Sequence, residues 1–331
     1  MKILFSADWH IKLGQKNVPK EWALARYREF FKQLHDLEKT VDLHIIGGDI
    51  FDRSPSLEEL NLFFEYLQAP ECDIVFFDGN HEASRKNQTF LEDINIPFDV
   101  FSQYSGKTIT GVFKPESLGN LVSSNSTALD EAVILPYTYL HRKEWGSLVD
   151  NAKVLFTHVR GAIPPHVQPE VDLTKFDKYK VVFAGDLHSH SNTQRNIVYP
   201  GSPMTISFHR NEVENGVLVI DSDDWSWEWV KLQLPQLIKK TVSSPEEMVP
   251  TNYNHTIYEL EGDLESLSKV GANDLLDKKI VKRSSEASLL LDPEMTIEAE
   301  LQEYLEFILE LPPEKIKKVM KAFSDYRNVE V

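Results

Sequence analysis

The sequence predicts an α/β fold whose strands end at one functional edge, and two observations carry that expectation. Five short β-branched and aromatic runs, Ile3–Phe5, Leu43–Ile46, Ile74–Phe77, Val154–Phe156 and Val181–Ala184, have the composition of strands buried on both faces. Each is followed at once by carboxylate, amide or imidazole side chains, and long connections between several of them leave room for helices. In a layered α/β sheet the carboxyl ends of the strands share an edge. Residues just beyond each run therefore converge although they are remote in sequence.

Taken in order, the runs deliver Asp8-Trp9-His10, Gly48-Asp49-Ile50-Phe51-Asp52, Gly79-Asn80-His81-Glu82, Thr157-His158 and Gly185-Asp186-Leu187-His188. Hard or borderline divalent cations favour such mixed oxygen and imidazole donors, and two neighbouring ions need a shared carboxylate. Asp49 is the natural bridge. Asp8 and His10 alternate so that both can face one ion, Asn80 offers a neutral amide oxygen to the other, and His158 and His188 complete the set. A paired site of this kind acidifies water and clamps phosphate oxygens, so the implied chemistry is phosphoester hydrolysis. Taken singly the pieces mean little: Asp-x-His reads first as a surface turn or cap, Gly-Asn-His as a turn, and His158 as a satisfied strand-end histidine. All five in this order outweigh that reading. His35, His44, His141, His166, His209 and His255 sit in no convergent cluster and are expected to be structural or surface residues.

These motifs resemble the D-x-H, G-D, G-N-H-[DE], H and G-H-x-H pattern of the calcineurin-like metallophosphoesterases. Within them the chain is most similar to the SbcD-type nuclease subunits of double-strand-break repair and their archaeal, eukaryotic and phage counterparts. The closer likeness rests on Ile3-Leu4-Phe5-Ser6-Ala7-Asp8-Trp9-His10, on Gly48–Asp52 followed by Pro55-Ser56, and on Tyr199–Phe208; beyond Phe208 no motif carries it. The resemblance implies a two-sheet metallophosphoesterase sandwich flanked by helices, with a small α/β cap and a helical C-terminal segment. It implies Asp8, His10, Asp49 and His188 as ligands of one ion, and Asp49, Asn80, His158 and Asp186 as those of the other. His81 then acts on the phosphate as a general acid at the leaving oxygen. Asp52 is expected to orient a ligand or partner histidine.

One position departs from the pattern. Where the family has Gly-His-x-His, this chain reads Gly185-Asp186-Leu187-His188-Ser189-His190. Without a gap, Asp186 replaces the first histidine and gives one ion a harder, more anionic set that favours manganese or magnesium over zinc. With a two-residue slip, His188 and His190 are the pair. The ungapped register is preferred because Gly185 directly follows the apolar run.

Composition sets outer limits. At 331 residues and 41% hydrophobic content the chain can hold more than one domain and a real core. Cys72 is the single cysteine, which excludes an internal disulfide and a cysteine-rich zinc site and fits a reduced cytoplasm, the host's if the chain is viral. The start reaches Asp8 too soon for a signal peptide, and no apolar run approaches membrane-spanning length, so no membrane association is expected. Gly47-Gly48-Asp49 lacks the lysine of a nucleotide-binding loop, so the chain itself is not expected to bind ATP.

Charge is the awkward fact. Asp and Glu number 52 against 35 Lys and Arg, a formal net charge of -17. Proteins that hold DNA unaided need a basic face that releases counterions from phosphate. Lys12, Lys16, Arg85, Lys86, Lys107 and Lys239-Lys240 are candidate contacts, with a solvated face as the plain alternative. A basic partner is expected to supply the grip.

The motifs lie within residues 1–232, with loops expected over 106–126. Residues 233–290 read as the α/β cap: strand-like Leu237–Val242, Thr256–Leu260 and Lys279–Lys282 around a helical Leu264–Lys269. Residues 291–331 read as two helices. Ile297, Leu301, Tyr304, Leu305 and Ile308 form one apolar stripe, and Ile316, Val319, Met320 and Phe323 repeat it after Pro312-Pro313. By periodicity alone they pack on the cap or dock a partner equally well. The resemblance favours docking onto the coiled-coil base of an SbcC-like ABC-type ATPase, and a homodimer through helices within 55–68 and 85–94.

The expected activity is thus a manganese-dependent DNA exonuclease or endonuclease with two divalent ions, magnesium being the second choice. Double-stranded ends, hairpins and single strands are the candidate substrates. A stand-alone phosphatase or cyclic-nucleotide phosphodiesterase is the enzymatic alternative; protein phosphatases, however, carry an arginine before Gly-Asn-His, where this chain has Asp78, expected to repel a phosphate. A non-catalytic scaffold that loads the ATPase onto DNA is the alternative outside enzymes.

Overall fold

The computed structural model describes residues 1–331 apart from 86, 95, 123–126, 143, 282–295, 310 and 328–331. In chain order the first elements are β1 (Lys2–Ser6), α1 (Lys20–Glu38), β2 (Leu43–Gly47), α2 (Leu57–Leu67), β3 (Asp73–Phe77), β4 (Ala83–Arg85) and β5 (Gln88–Thr89). There follow β6 (Ile109–Val112), β7 (Glu116–Ser117), β8 (Ala132–Leu135), β9 (Val154–His158), β10 (Val181–Gly185) and β11 (Ile197–Val198). The last strands are β12 (Gly216–Asp221), β13 (Ser226–Lys231), β14 (Leu237–Val242), β15 (His255–Gly262) and β16 (Leu276–Val281).

Two sheets form the frame, one ordered β13-β12-β1-β2-β3-β6 and the other β11-β10-β9-β8-β7. Alternation within β1 shows how they are layered. Ile3 and Phe5 face inward with Leu43, Ile45, Val75 and Phe77 to meet Ile134, Phe156 and Phe183 of the second sheet. Leu4 points the other way, with Ile46, Ile74 and Phe76, onto Phe30, Phe31, Leu34 and Phe63 of α1 and α2. The outer face of the second sheet, Leu155, Val182 and Ala184, is covered by Trp145, Phe176, Tyr179 and Tyr199. The expected two-sheet sandwich flanked by helices is therefore the observed architecture. Both faces of the central strands are buried, which is why they read as continuous apolar runs rather than alternating ones.

Local chemistry sets the helices. α2 starts in a capping box in which Ser56 accepts from Glu59 N–H while the Glu59 carboxylate accepts from Ser56 N–H. α1 begins after Pro19 and buries Ala23, Tyr27, Phe30, Phe31 and Leu34, a spacing of three and four along one face. The stretch 106–126, expected as loops, contains β6, whose buried Ile109 and Val112 extend the first sheet beside β3. Its run is too short and too glycine-broken to stand out in sequence. The strands β8, β12 and β13 also went unmarked by any motif, and β12 and β13 form the antiparallel edge of the first sheet.

By contacts the chain divides into two units, Met1–Glu259 with Ala272–Lys278, and Leu260–Gly271 with Lys279–Val331. The division falls inside the stretch expected as a cap, and the expected 290/291 boundary lies outside the described residues. The three strands of that stretch form a sheet ordered β14-β15-β16. In the second unit, helix Ile297–Glu303 is capped by Thr296 and runs into a π turn, Tyr304–Ile308; helix Pro313–Arg327 follows. Proline is suited to that first helical position because its missing N–H would have no partner there.

Candidate metal centre

The parallel pairing of β1, β2 and β3, and of β8, β9 and β10, brings their carboxyl ends to a common edge. Beyond that edge the loops are stitched by main-chain bonds: Asp8 N–H donates to Gly48 O at 3.1 Å and His10 N–H to Asp49 O at 2.9 Å. Asp186 N–H donates to the Asp8 carboxylate at 2.9 Å. Four expected ligands hold left-handed backbone, with φ of 57° at Asp8, 44° at His10, 50° at Asp49 and 100° at Asp186. Non-glycine residues adopt such values at a cost that the surrounding structure must over-determine, and they gather at functional sites. Gly48 and Gly79 permit the crowding. A Cβ on Gly79 would lie 2.2 Å from Asp49 Oδ1, and one on Gly48, itself at φ +82°, 2.6 Å from Gly79 N.

Three overlapping sets of donor atoms each fall within 4.8 Å of one another: Asp8, His10 and His188; His10, Asp49 and His81; and Asp8, Asp49 and His158. Asp49 Oδ2 lies 3.7 Å from His10 Nε2 and 3.4 Å from His158 Nε2, and Asp186 Oδ1 lies 3.9 Å from His158 Nε2. Asn80 Oδ1 is 2.9 Å from His158 Nε2. The seven expected ligands thus meet in one place.

The donor set suits cations. Two imidazole nitrogens, His10 Nε2 and His188 Nε2, face each other at 3.2 Å, and His10 Nδ1 is buried with no hydrogen-bond partner. The Asn80 amide reaches 3.1 Å from Asp49 Oδ2 and 3.3 Å from Asp186 Oδ1, so it lies among the same carboxylates and imidazole. His158 donates Nδ1–H to Gly47 O at 2.9 Å, which turns its Nε2 lone pair into the cluster, as an outer-shell carbonyl does for a ligating histidine. Charge says the same. Burial pushes the Asp8 carboxyl up to about 8, with Asp49 and Asp186 adding to the effect and His158 opposing it. Burial holds His10 down to about 3. Burial works against charge on Asp49 too, yet His158 and His10 keep it well below the usual carboxylate range.

Around this cluster, His81 donates Nδ1–H to the main-chain carbonyl of Asp52 at 2.5 Å, which leaves its Nε2 on the site side, 3.8 Å from Asp49 Oδ2. It is the carbonyl of Asp52 that orients His81. The Asp52 carboxylate pairs with Lys12 at 2.7 Å and lies 3.8 Å from His10 Nδ1. His190 points elsewhere, with Nδ1 on Tyr199 O and its ring stacked on Trp229.

The sequence pattern of the calcineurin-like phosphoesterases matches residues 1–190, more than half of the chain. The chain belongs to that family. A probable exonuclease subunit 1 of Escherichia phage T5 is 39% identical across 98% of this chain and 98% of its own length. Putative phosphoesterase 244L of Invertebrate iridescent virus 6 is 24% identical over 74% of this chain and 83% of its own. The DNA double-strand break repair protein Mre11 of Nanoarchaeum equitans is 25% identical over 56% of each.

Sequence reasoning missed two residues of this phosphoesterase's site. Glu82, fully buried, accepts from Asp49 N–H, Phe51 N–H and Gly79 N–H at 2.8–2.9 Å and so locks the second and third motifs together. Burial and the neighbouring Asp49 push its carboxyl up to about 8. Its place as the last letter of Gly79-Asn80-His81-Glu82 was the available signal. The other is Arg160, whose Nε and Nη2 bind the two oxygens of Asp186 at 3.1 Å each. The expected anionic donor Asp186 is thus paired with an arginine that no motif announced.

Asp78 also differs from expectation. Its carboxylate is buried beneath Thr138, whose N–H it accepts at 3.1 Å, and burial pushes it up to about 7. It does not face a substrate, so repulsion is not its role. Of the candidate DNA contacts, Lys12 is tied to Asp52 and Lys239 lies 3.4 Å from Glu259, while Lys86 falls outside the described residues.

Proposed function

We propose that this phosphoesterase is a manganese-dependent DNA nuclease, the hydrolytic subunit of a complex with an SbcC-like coiled-coil ATPase. The convergence of Asp8, His10, Asn80, His158, Asp186 and His188 with Asp49 is the observation that carries the reading. The likeness to a phage exonuclease subunit, which spans nearly the whole of both chains, supports DNA as the substrate. Asp8, His10, Asp49 and His188 would hold one divalent ion; Asp49, Asn80, His158 and Asp186 would hold the second. Two such ions supply Lewis-acid charge to the phosphoryl oxygens and acidify water.

The protein's own part is positioning and proton transfer. The Asp52 carbonyl fixes His81 through Nδ1–H, so a protonated imidazole presents Nε2–H to the leaving oxygen of a phosphodiester lying over Asp49. Glu82 keeps the Asp49 loop rigid against charge movement. In this reading 1–232 serve catalysis, 233–290 act as a cap and 291–331 dock the ATPase. Exposed Ile297, Leu309 and Val319 in the last part support the docking role. Among the described residues no helix is long and apolar enough to cross a membrane.

The test is cleavage of end-labelled duplex DNA in manganese, with and without the ATPase. The reading expects metal-dependent release of labelled nucleotides, enhanced by the partner. Hydrolysis of phosphomonoesters with DNA left intact would point instead to a stand-alone phosphatase.

A further inference from the structure

Next to the donor cluster lies a cavity of about 920 Å³, walled by Asp49, His81, Asp186, His188 and Glu214 among others. Among the described residues that line it, Arg160 is the one lysine or arginine. For an anionic substrate entering a chain of net charge -17, Arg160 is therefore the one guanidinium or ammonium in a wall that also carries the carboxylates of Asp49, Asp186 and Glu214.

Arg160 is built to stay there. It stands two residues beyond the end of β9, where the buried Val159 anchors the chain by donating to Gly185 O at 3.2 Å. Its own N–H donates to Glu170 Oε1 at 3.1 Å, and Glu170 also accepts from the Tyr137 hydroxyl. The guanidinium grips Asp186 with Nε and Nη2, a two-point fork that fixes its plane. Asp186 is 5% exposed at its side chain whereas Arg160 is 42% exposed, so the pair presents its cationic half to the cavity. A guanidinium carries five N–H donors and the fork uses two, which leaves donors in the same plane for phosphate oxygens.

We infer that Arg160 is the substrate-phosphate-binding residue of this site, held in register by Asp186. The pair replaces the neutral imidazole of the family pattern with an equally neutral unit that also carries a hydrogen-bonding fork. This rests on the phosphodiesterase reading above. A residue that merely offset the charge of Asp186 would act on metal affinity instead, and the two roles separate experimentally.

The experiment uses the full chain, wild type and the variants Arg160→Gln and Arg160→Lys. Manganese stoichiometry and affinity are measured by calorimetry, inorganic phosphate affinity on the manganese-loaded protein, and KM and kcat on bis-p-nitrophenyl phosphate. The inference expects Arg160→Gln to bind manganese as wild type does, with phosphate affinity weakened and KM raised roughly tenfold or more. Arg160→Lys, folded but without the fork, should recover little of either. Unchanged phosphate affinity and KM in Arg160→Gln would overturn it, as would a manganese affinity altered with phosphate affinity intact. Should wild type bind phosphate through Arg160 yet hydrolyse no diester, the proposed function fails while this inference stands.

Discussion

Two buried clusters of acid and imidazole lie on either side of the segment Ser6–His10, and they are held together in opposite ways. On one side Glu38 accepts from His44 Nδ1–H at 2.9 Å, from the Tyr66 hydroxyl and from Glu71 N–H. The His44 Nε2 meets Ser6 Oγ at 2.8 Å, and Ser6 accepts from the Trp9 indole. On the other side Asp8 and His10, which flank Trp9, join Asp49, His158 and His188. In the first cluster each donor has an acceptor. Despite burial, the hydrogen bond from His44 holds Glu38 below its ordinary value. In the second, nitrogen faces nitrogen at 3.2 Å and Asp8 is pushed up to about 8. A buried polar group without a partner is costly, and His10 Nδ1 in this cluster has none, so crowded donors here are suited to a cation in a way that the first cluster is not. Composition alone does not separate a structural histidine from a ligating one; the closure of the hydrogen-bond network does.

The sharpest way to break this contrast is to remove the group that acts on the substrate. His81→Ala should lower phosphodiester hydrolysis by roughly 10²- to 10⁴-fold, the span of general acid catalysis, while calorimetry shows manganese binding retained. Normal cleavage by the variant would remove the role given to that residue. On the structural side, Glu38→Ala strands His44 and Tyr66 in the core and should cost about 3–5 kcal/mol in urea unfolding. Its folded fraction should bind manganese as wild type does. A stable Glu38→Ala protein that has lost its metal would erase the distinction.

The smallest expected effect is one of pH. Asp8 and Glu82 are both pushed to about 8, so the metal-free native state keeps protons that the unfolded chain has released above its ordinary carboxylate values near 4. The native state then binds more protons, and stability falls as pH rises towards 8. His158, raised by Asp49 despite its burial, acts in the same sense above 6.5. His10, held down to about 3, opposes it only below 6.5. Thermal unfolding in chelator should therefore drop from pH 6.5 to 8, and saturating manganese should flatten the slope. A chelated protein equally stable across that window would show that the cluster carries no such strain.

The strands β1, β2, β3, β9 and β10 were legible because burial on both faces leaves unbroken apolar runs, and the meeting of the donors that follow them because strand ends share an edge. β6 was not, because Gly111 breaks a short run, and β12 and β13 were not, because no functional residue follows them. The role of His44 as a structural residue was legible only by its isolation from the motifs. Arg160 was invisible because its meaning comes from Asp186, twenty-six residues away and joined to it only by the pairing of β9 with β10. Glu82 stood inside a recognised motif, yet its function depends on three main-chain donors that sequence does not display.

Manganese titration into the metal-free protein, followed by crystallography with anomalous scattering from the bound ion, tests the central claim most directly. Two ions per chain are expected, one beside Asp8, His10 and His188, the other beside Asn80 and His158, with Asp49 reaching both. A chain that binds none, or binds them away from Asp49, would contradict it.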